Sequence, residues 1–215
     1  MIQHAVIRHA VIRHAPAAAG EPPSDADAIA ATRRWIERAV IGLNLCPFAR
    51  APYLQGRLRI RVSRARDADG LAADLHAELV WLRDADAARH ETSLLVHPFV
   101  LGDFADYNDF LDVADALLRG LDLDGQIQVA SFHPHYRFAD TAPDAVENGT
   151  NRSPFPTLHL LRESSIAHAL EAMPDTSAIY RRNIETRHAL GIDGWRRLWV
   201  DSDTDAAPAT EPPPD

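Results

Sequence analysis

The residues of this 215-residue chain best equipped for chemistry are two histidines that close apolar runs, His97 in TSLLVHP and His133 in GQIQVASFHP. Each is followed by a proline that stiffens the exit. Imidazole changes charge near neutral pH, so His133 is a candidate general base or acid with His97 as its partner. The segment that follows, HPHYRFADTAPDAVENGTNRSPFP, carries Arg137 and Arg152, whose guanidinium forks suit a carboxylate or phosphate. Asn148, Asn151 and Ser153 add donors that can orient a polar ligand, and Arg152 with Asn151 makes the natural anion clamp. The plain alternative is open for all of them. Each histidine can cap its strand, and Asn-Gly and Pro156 can be ordinary turn chemistry.

Two more residues join the candidates. His159, set between Leu158 and Leu160 in TLHLLR, is either a satisfied buried histidine or the base of the site. Cys46 follows the apolar run of GLNLCPFA and can be a nucleophile only beside a positive group or a histidine. Read as the end of a helix, its position disfavours a thiolate, because the helix dipole is negative there. His133, His135 and His97 together match an open three-histidine metal site, but Pro134 constrains that geometry, and the bland reading assigns no metal. Nothing in the sequence names a cofactor. The arginines of RRN at 181–183 and of RR at 196–197 read as solvated helix faces, with Arg181 able to reach back to the loop.

The elements that must position these residues follow from periodicity. Ser24 with Asp27 forms a capping pair, and Trp35, Ile36, Ala39, Val40 and Leu43 continue a helix that should stop at Cys46-Pro47. Leu58, Ile60 and Val62 alternate with Arg57, Arg59 and Arg61, as in a half-exposed strand. Leu71, Leu75, Leu79 and Leu82 share one helical face. A buried strand to His97, a helix capped by Asp103 and closed by Gly120, and a strand to His133 come next. After the long polar segment 134–156, TLHLLR reads as a fourth strand. A helix from Ser164 follows with Ile166, Leu170 and Met173, then helical residues 176–199 packed down by Trp195 and Trp199. The order predicts an α/β (or α+β) sandwich: helices on a mostly parallel sheet of about four strands, with a helical C-terminal segment. If helix 103–119 is a crossover between parallel strands, His97 and His133 lie side by side at one edge, where open α/β sheets bind ligands.

Composition narrows the classes. All 22 basic residues are Arg, so Schiff-base chemistry and a P-loop lysine are excluded. One cysteine excludes a disulfide framework. The net charge is −9, of which the body 25–200 holds −5, the wrong sign for a general nucleic-acid binder. No apolar run is long enough to span a membrane, and His and Arg interrupt every run of the N-terminal HAVIR repeat, so a cytoplasmic location is expected. Residues 1–24 read as a disordered low-complexity arm, 25–200 as a single globular domain, and 201–215 as a disordered acidic, Pro-rich tail.

Four long strings carry a resemblance: WIERAVIGLNLCPFA, ETSLLVHPFVLGDFADYNDFLDVADALL, the stretch IQVASFHPHYRFADTAPDAVENGTNRSPFPTLHLLRESSI, and IYRRNIETRHALG. Over about residues 28–199 the chain resembles the uncharacterised bacterial family of domain of unknown function 1415. The second histidine of HPHY is not a fixed part of that pattern, which counts against a metal through His135. The resemblance implies no established activity. Three function classes therefore stand open. The first is a hydrolase or transferase acting on a small anionic metabolite at the C-terminal edge of the sheet. The second is a non-catalytic ligand- or partner-binding regulatory module, and the third a His-ligated metalloprotein.

Overall fold

The computed structural model describes residues 22–171 and 176–198. The arm before residue 22, the tail 201–215, Met173 and Trp199 lie outside the described residues. The chain opens with α1 (Asp25–Trp35), whose Ser24 and Asp27 close the expected capping box. Helical winding then widens into a six-residue π-helix, Ile36–Ile41, and stops there. This corrects the expected end at Cys46-Pro47. Gly42 to Asn44 form a turn, with Asn44 at φ 53°, and Cys46 instead precedes a short additional helix, α2 (Arg50–Leu54).

Then come β1 (Leu58–Val62), α3 (Ala68–Asp84), β2 (Thr92–Val96), α4 (Phe104–Gly120) and β3 (Ile127–Phe132). The connection 133–156 contains a 3-10 helix, Val146–Asn151, and leads to β4 (Thr157–Arg162), α5 (Glu163–Glu171) and α6 (Thr176–Arg197). Within α6, Gly191 has φ 63° and ψ −177°, a break in the helical winding that glycine tolerates.

The sheet order is β1-β2-β4-β3. β1 and β2 pair parallel, whereas β4 runs antiparallel to both β2 and β3. Three strands therefore share a direction and the fourth reverses between them, so the sheet is mixed. The crossover through α4 does bring the ends of β2 and β3 to one edge, as expected. They are not adjacent, however, because β4 enters the sheet from that same edge and fills the gap.

Both faces of the sheet are covered. On one, Leu71, Leu75, Leu79 and Leu82 of α3 and Tyr107, Phe110, Ala114 and Leu118 of α4 pack with Leu95, Val129, Leu158 and Leu160. On the other, Trp35, Ile36 and Ala39 pack with Leu94 and Val96, and Phe132, Phe155 and Trp195 close around them. The arginine face of β1 is half-exposed, as expected, and its guanidiniums are paired. Arg59 and Arg61 turn under α3 to Glu78, which is fully buried and also accepts from Ser93 Oγ at 2.6 Å. Arg61 adds Asp74 at 3.0 Å.

Candidate functional site

The two strand-end histidines meet through a tyrosine. Tyr107 lies between them, with ring centroids 5.7 Å from His97 and 5.0 Å from His133. Its hydroxyl donates to the Thr157 carbonyl at 2.9 Å and accepts from the Phe132 N–H at 3.1 Å. It thus ties the start of β4 to the end of β3 in the gap two strand spacings leave.

His133 is fully buried and both its ring nitrogens are engaged by backbone. Nε2–H donates to the Leu101 carbonyl at 3.1 Å, and Nδ1 accepts from the His135 N–H at 3.0 Å. Those partners fix the neutral tautomer, and burial holds its pKa down at about 4. His97 differs by one atom. Its Nδ1–H donates to the Val100 carbonyl at 3.1 Å, whereas Nε2 is buried with no partner. Burial, with His133 nearby, lowers its pKa to about 4 as well.

His159 lies on the opposite face of the sheet. Thr92 Oγ1 gives its own proton to the Leu160 carbonyl, so it accepts from His159 Nε2–H at 2.7 Å. Desolvation lowers this pKa to about 4. His159 is thus separated by the sheet from the His97–Tyr107–His133 stack.

The amides of the long connection are spent on the connection itself and on the end of β3. Asn148 Oδ1 accepts from the Phe138 N–H and Thr141 Oγ1, and its Nδ2 donates to the Ala142 carbonyl. Asn151 donates Nδ2 to the Ser131 carbonyl, and Ser153 Oγ donates to the Phe155 carbonyl. Arg152 spans the loop, donating to the Pro143 carbonyl at 2.6 Å and to Tyr136 at 3.4 Å. Arg137 is half-buried beside the turn at 133–136. Cys46 is half-buried too. Burial pushes its thiol pKa up, partly offset by the N–H groups of Phe48 and Ala49, so its surroundings work against a thiolate.

The residue that sequence reasoning missed is Arg187. It projects from α6 onto the 3-10 helix, only 6% exposed, with its Cζ 3.8 Å from the centre of the Trp195 ring. A Cβ on Gly149 would press on Nη2 and Nε of Arg187, so the bare glycine of the Asn-Gly pair leaves the guanidinium its seat on the 3-10 helix. Nε and Nη1 are buried without a hydrogen-bond partner. Neither Arg152 nor Arg187 joins any of the salt bridges formed among the described residues. Desolvation, with the Arg152 charge adding to it, lowers the Arg187 pKa to about 10, which leaves it a cation at neutral pH. Desolvation lowers Arg152 too, and Asp144 opposes that.

One turn earlier on α6, Asn183 is 9% exposed. It donates Nδ2 to the Leu45 carbonyl at 2.7 Å, while Arg182 donates to Asn44 at 2.9 Å. The RRN stretch is therefore an anchor onto the turn before Cys46, not only a solvated face. The Asn151–Arg152 pair stands next to His133: the Asn151 carbonyl accepts from the His133 N–H at 3.2 Å, and Arg152 Nε donates to the Tyr136 carbonyl at 3.4 Å.

No group of three or more His, Cys, Asp or Glu side chains converges as a metal site among the described residues. Two shallow clefts, of about 280 and 530 Å³, lie at the opposite edge of the sheet. Arg162 of the first is committed to the carbonyls of Leu82, Ala85 and His90, and Arg57 of the second to Glu91. No described helix is long and apolar enough to cross a membrane.

The chain belongs to the family described as "Protein of unknown function (DUF1415)", whose model matches residues 27–197. The motifs that carried the resemblance are thus those of a member. No curated protein and no solved structure matches the chain.

Proposed function

We propose that this protein binds a small organic anion, a carboxylate or phosphate, between the 3-10 helix and α6, with Arg187 and Arg152 as its cationic partners. One observation carries the reading. Arg187 is buried against the 3-10 helix that Arg152 follows, with Nε and Nη1 unpartnered and no salt bridge to it among the described residues. A buried unpaired charge is strongly unfavourable, and a like charge near it adds to that. An anion in the seam removes both penalties and meets the forked donors that suit it.

The test is a melting series with inorganic phosphate and with acetate, each against sodium chloride of equal ionic strength. Saturable stabilisation by phosphate, absent in Arg187→Met, is the expected result. A melting temperature indifferent to both anions while the protein is folded would falsify the proposal.

A second reading, a hydrolase or transferase acting on the same anion, is favoured by the unpartnered Nε2 of His97. With Nδ1–H held by Val100, that nitrogen is the free lone pair of the histidine stack and the better proton acceptor. Hydrolysis of an aryl phosphate or aryl ester that disappears in His97→Gln at unchanged melting temperature supports it. Turnover surviving that substitution removes His97 from the chemistry.

A further inference from the structure

We propose that the anion held by Arg187 and Arg152 is the charged end of a hydroxylated phosphate monoester, and that Asn183 Oδ1 receives the hydroxyl. The inference rests on the anion reading and deepens it. The orientation of the Asn183 amide is fixed by chemistry, since the Leu45 carbonyl can only accept and must face Nδ2. Oδ1 is then the other end, and it is buried with no donor. Arg187 follows four residues later, on the same helical face and about 6 Å further along the axis. Two neighbouring buried side chains thus ask for opposite things: Arg187 has donors without an acceptor, and Asn183 an acceptor without a donor.

A water satisfies the amide but leaves the Arg187 charge uncompensated. A simple anion does the reverse. A ligand with an anionic head and a hydrogen-bond donor a few ångströms away satisfies both at once. Two guanidiniums favour a dianion over a monocarboxylate, which points to the phosphate monoester.

The experiment compares glycerol 3-phosphate with propyl phosphate, which has the same carbon count and no hydroxyl, by calorimetric titration of the full chain. Leaving a buried acceptor unpaired is worth about tenfold in affinity, so glycerol 3-phosphate should bind about tenfold tighter. In Asn183→Ala that advantage should vanish while propyl phosphate binds as before. If Asn183→Ala does not fold, the wild-type comparison decides alone. Equal binding of the two esters, both lost in Arg187→Met, overturns the hydroxyl assignment and leaves the anion site standing. Binding of inorganic phosphate but neither ester overturns it as well. Binding of no phosphate species by folded protein ends both readings.

Discussion

A guanidinium kept from water without an acid beside it weakens the fold it sits in, and that gives Arg187 a signature. In anion-free buffer Arg187→Met should be more stable than the wild type by roughly 1 kcal/mol, because the thioether keeps apolar contact with Trp195 and removes the buried charge. The urea midpoint reads this directly. A large loss of stability instead would mark Arg187 as a structural strut. His133 should behave in the opposite way. His133→Ala strands the Leu101 carbonyl and the His135 N–H and opens a cavity beside Tyr107, costing about 2–4 kcal/mol. An unchanged midpoint would return His133 to the candidate bases. The strand-end positions of His97 and His133 were legible from the apolar runs they close and from the prolines after them. Which ring atom is left over was not, because the carbonyls of Val100 and Leu101 are set by the path of the turn into α4. Arg187 was illegible for a related reason. RRNIETRHALG is mostly polar, and what buries its arginine is Trp195, two turns on, together with Gly149, which is distant in sequence.

At the scale of elements, the seam between α6 and the 3-10 helix depends on a missing side chain. Gly149→Ala places a methyl against the Arg187 guanidinium, which can swing away at the end of a flexible chain. The fold should survive with little change in melting temperature while phosphate affinity falls about tenfold, the loss of one charge-assisted hydrogen bond. Undiminished affinity would show that the observed guanidinium position is not the binding one. The order of helices and strands was readable from periods of 3.6 and 2, and Ser24 with Asp27 capped α1 as their spacing required. Two features escaped. The winding widens into a π-helix after Trp35 and stops at Gly42, a signal passed over because Leu43 and Leu45 extended the apolar run towards Pro47. The insertion of β4 between β2 and β3 is a pairing choice, and pairing leaves no trace in the period of a single strand. The buried Glu78 shows the same limit: its acid is explained only once Arg59, Arg61 and Ser93 close around it.

Across the whole molecule, three histidines on two faces of one sheet share an acid sensitivity. His97, His133 and His159 are all held at about 4 in the fold, chiefly by burial, against about 6.5 in an unfolded chain. Their folded values lie below the unfolded ones, so between those limits the unfolded state binds more protons and stability rises with pH. Above about pH 7 none of them is charged in either state, and they add no slope. As pH falls from 6.5 towards 4, each removes stability at a rate approaching about 1.4 kcal/mol per pH unit. Urea unfolding at intervals from pH 7.5 to 4.5 should therefore be flat at the top and steepen below about 6. His159→Gln keeps a donor for Thr92 and removes one titrating ring, so its curve should lose about a third of that slope. The fraction distinguishes this origin from general repulsion in a chain of net charge −9, which weakens rather than grows as carboxylates protonate. Stability that stays level down to pH 5 would mean the rings are protonated inside the fold, and the burial account of all three would fail together.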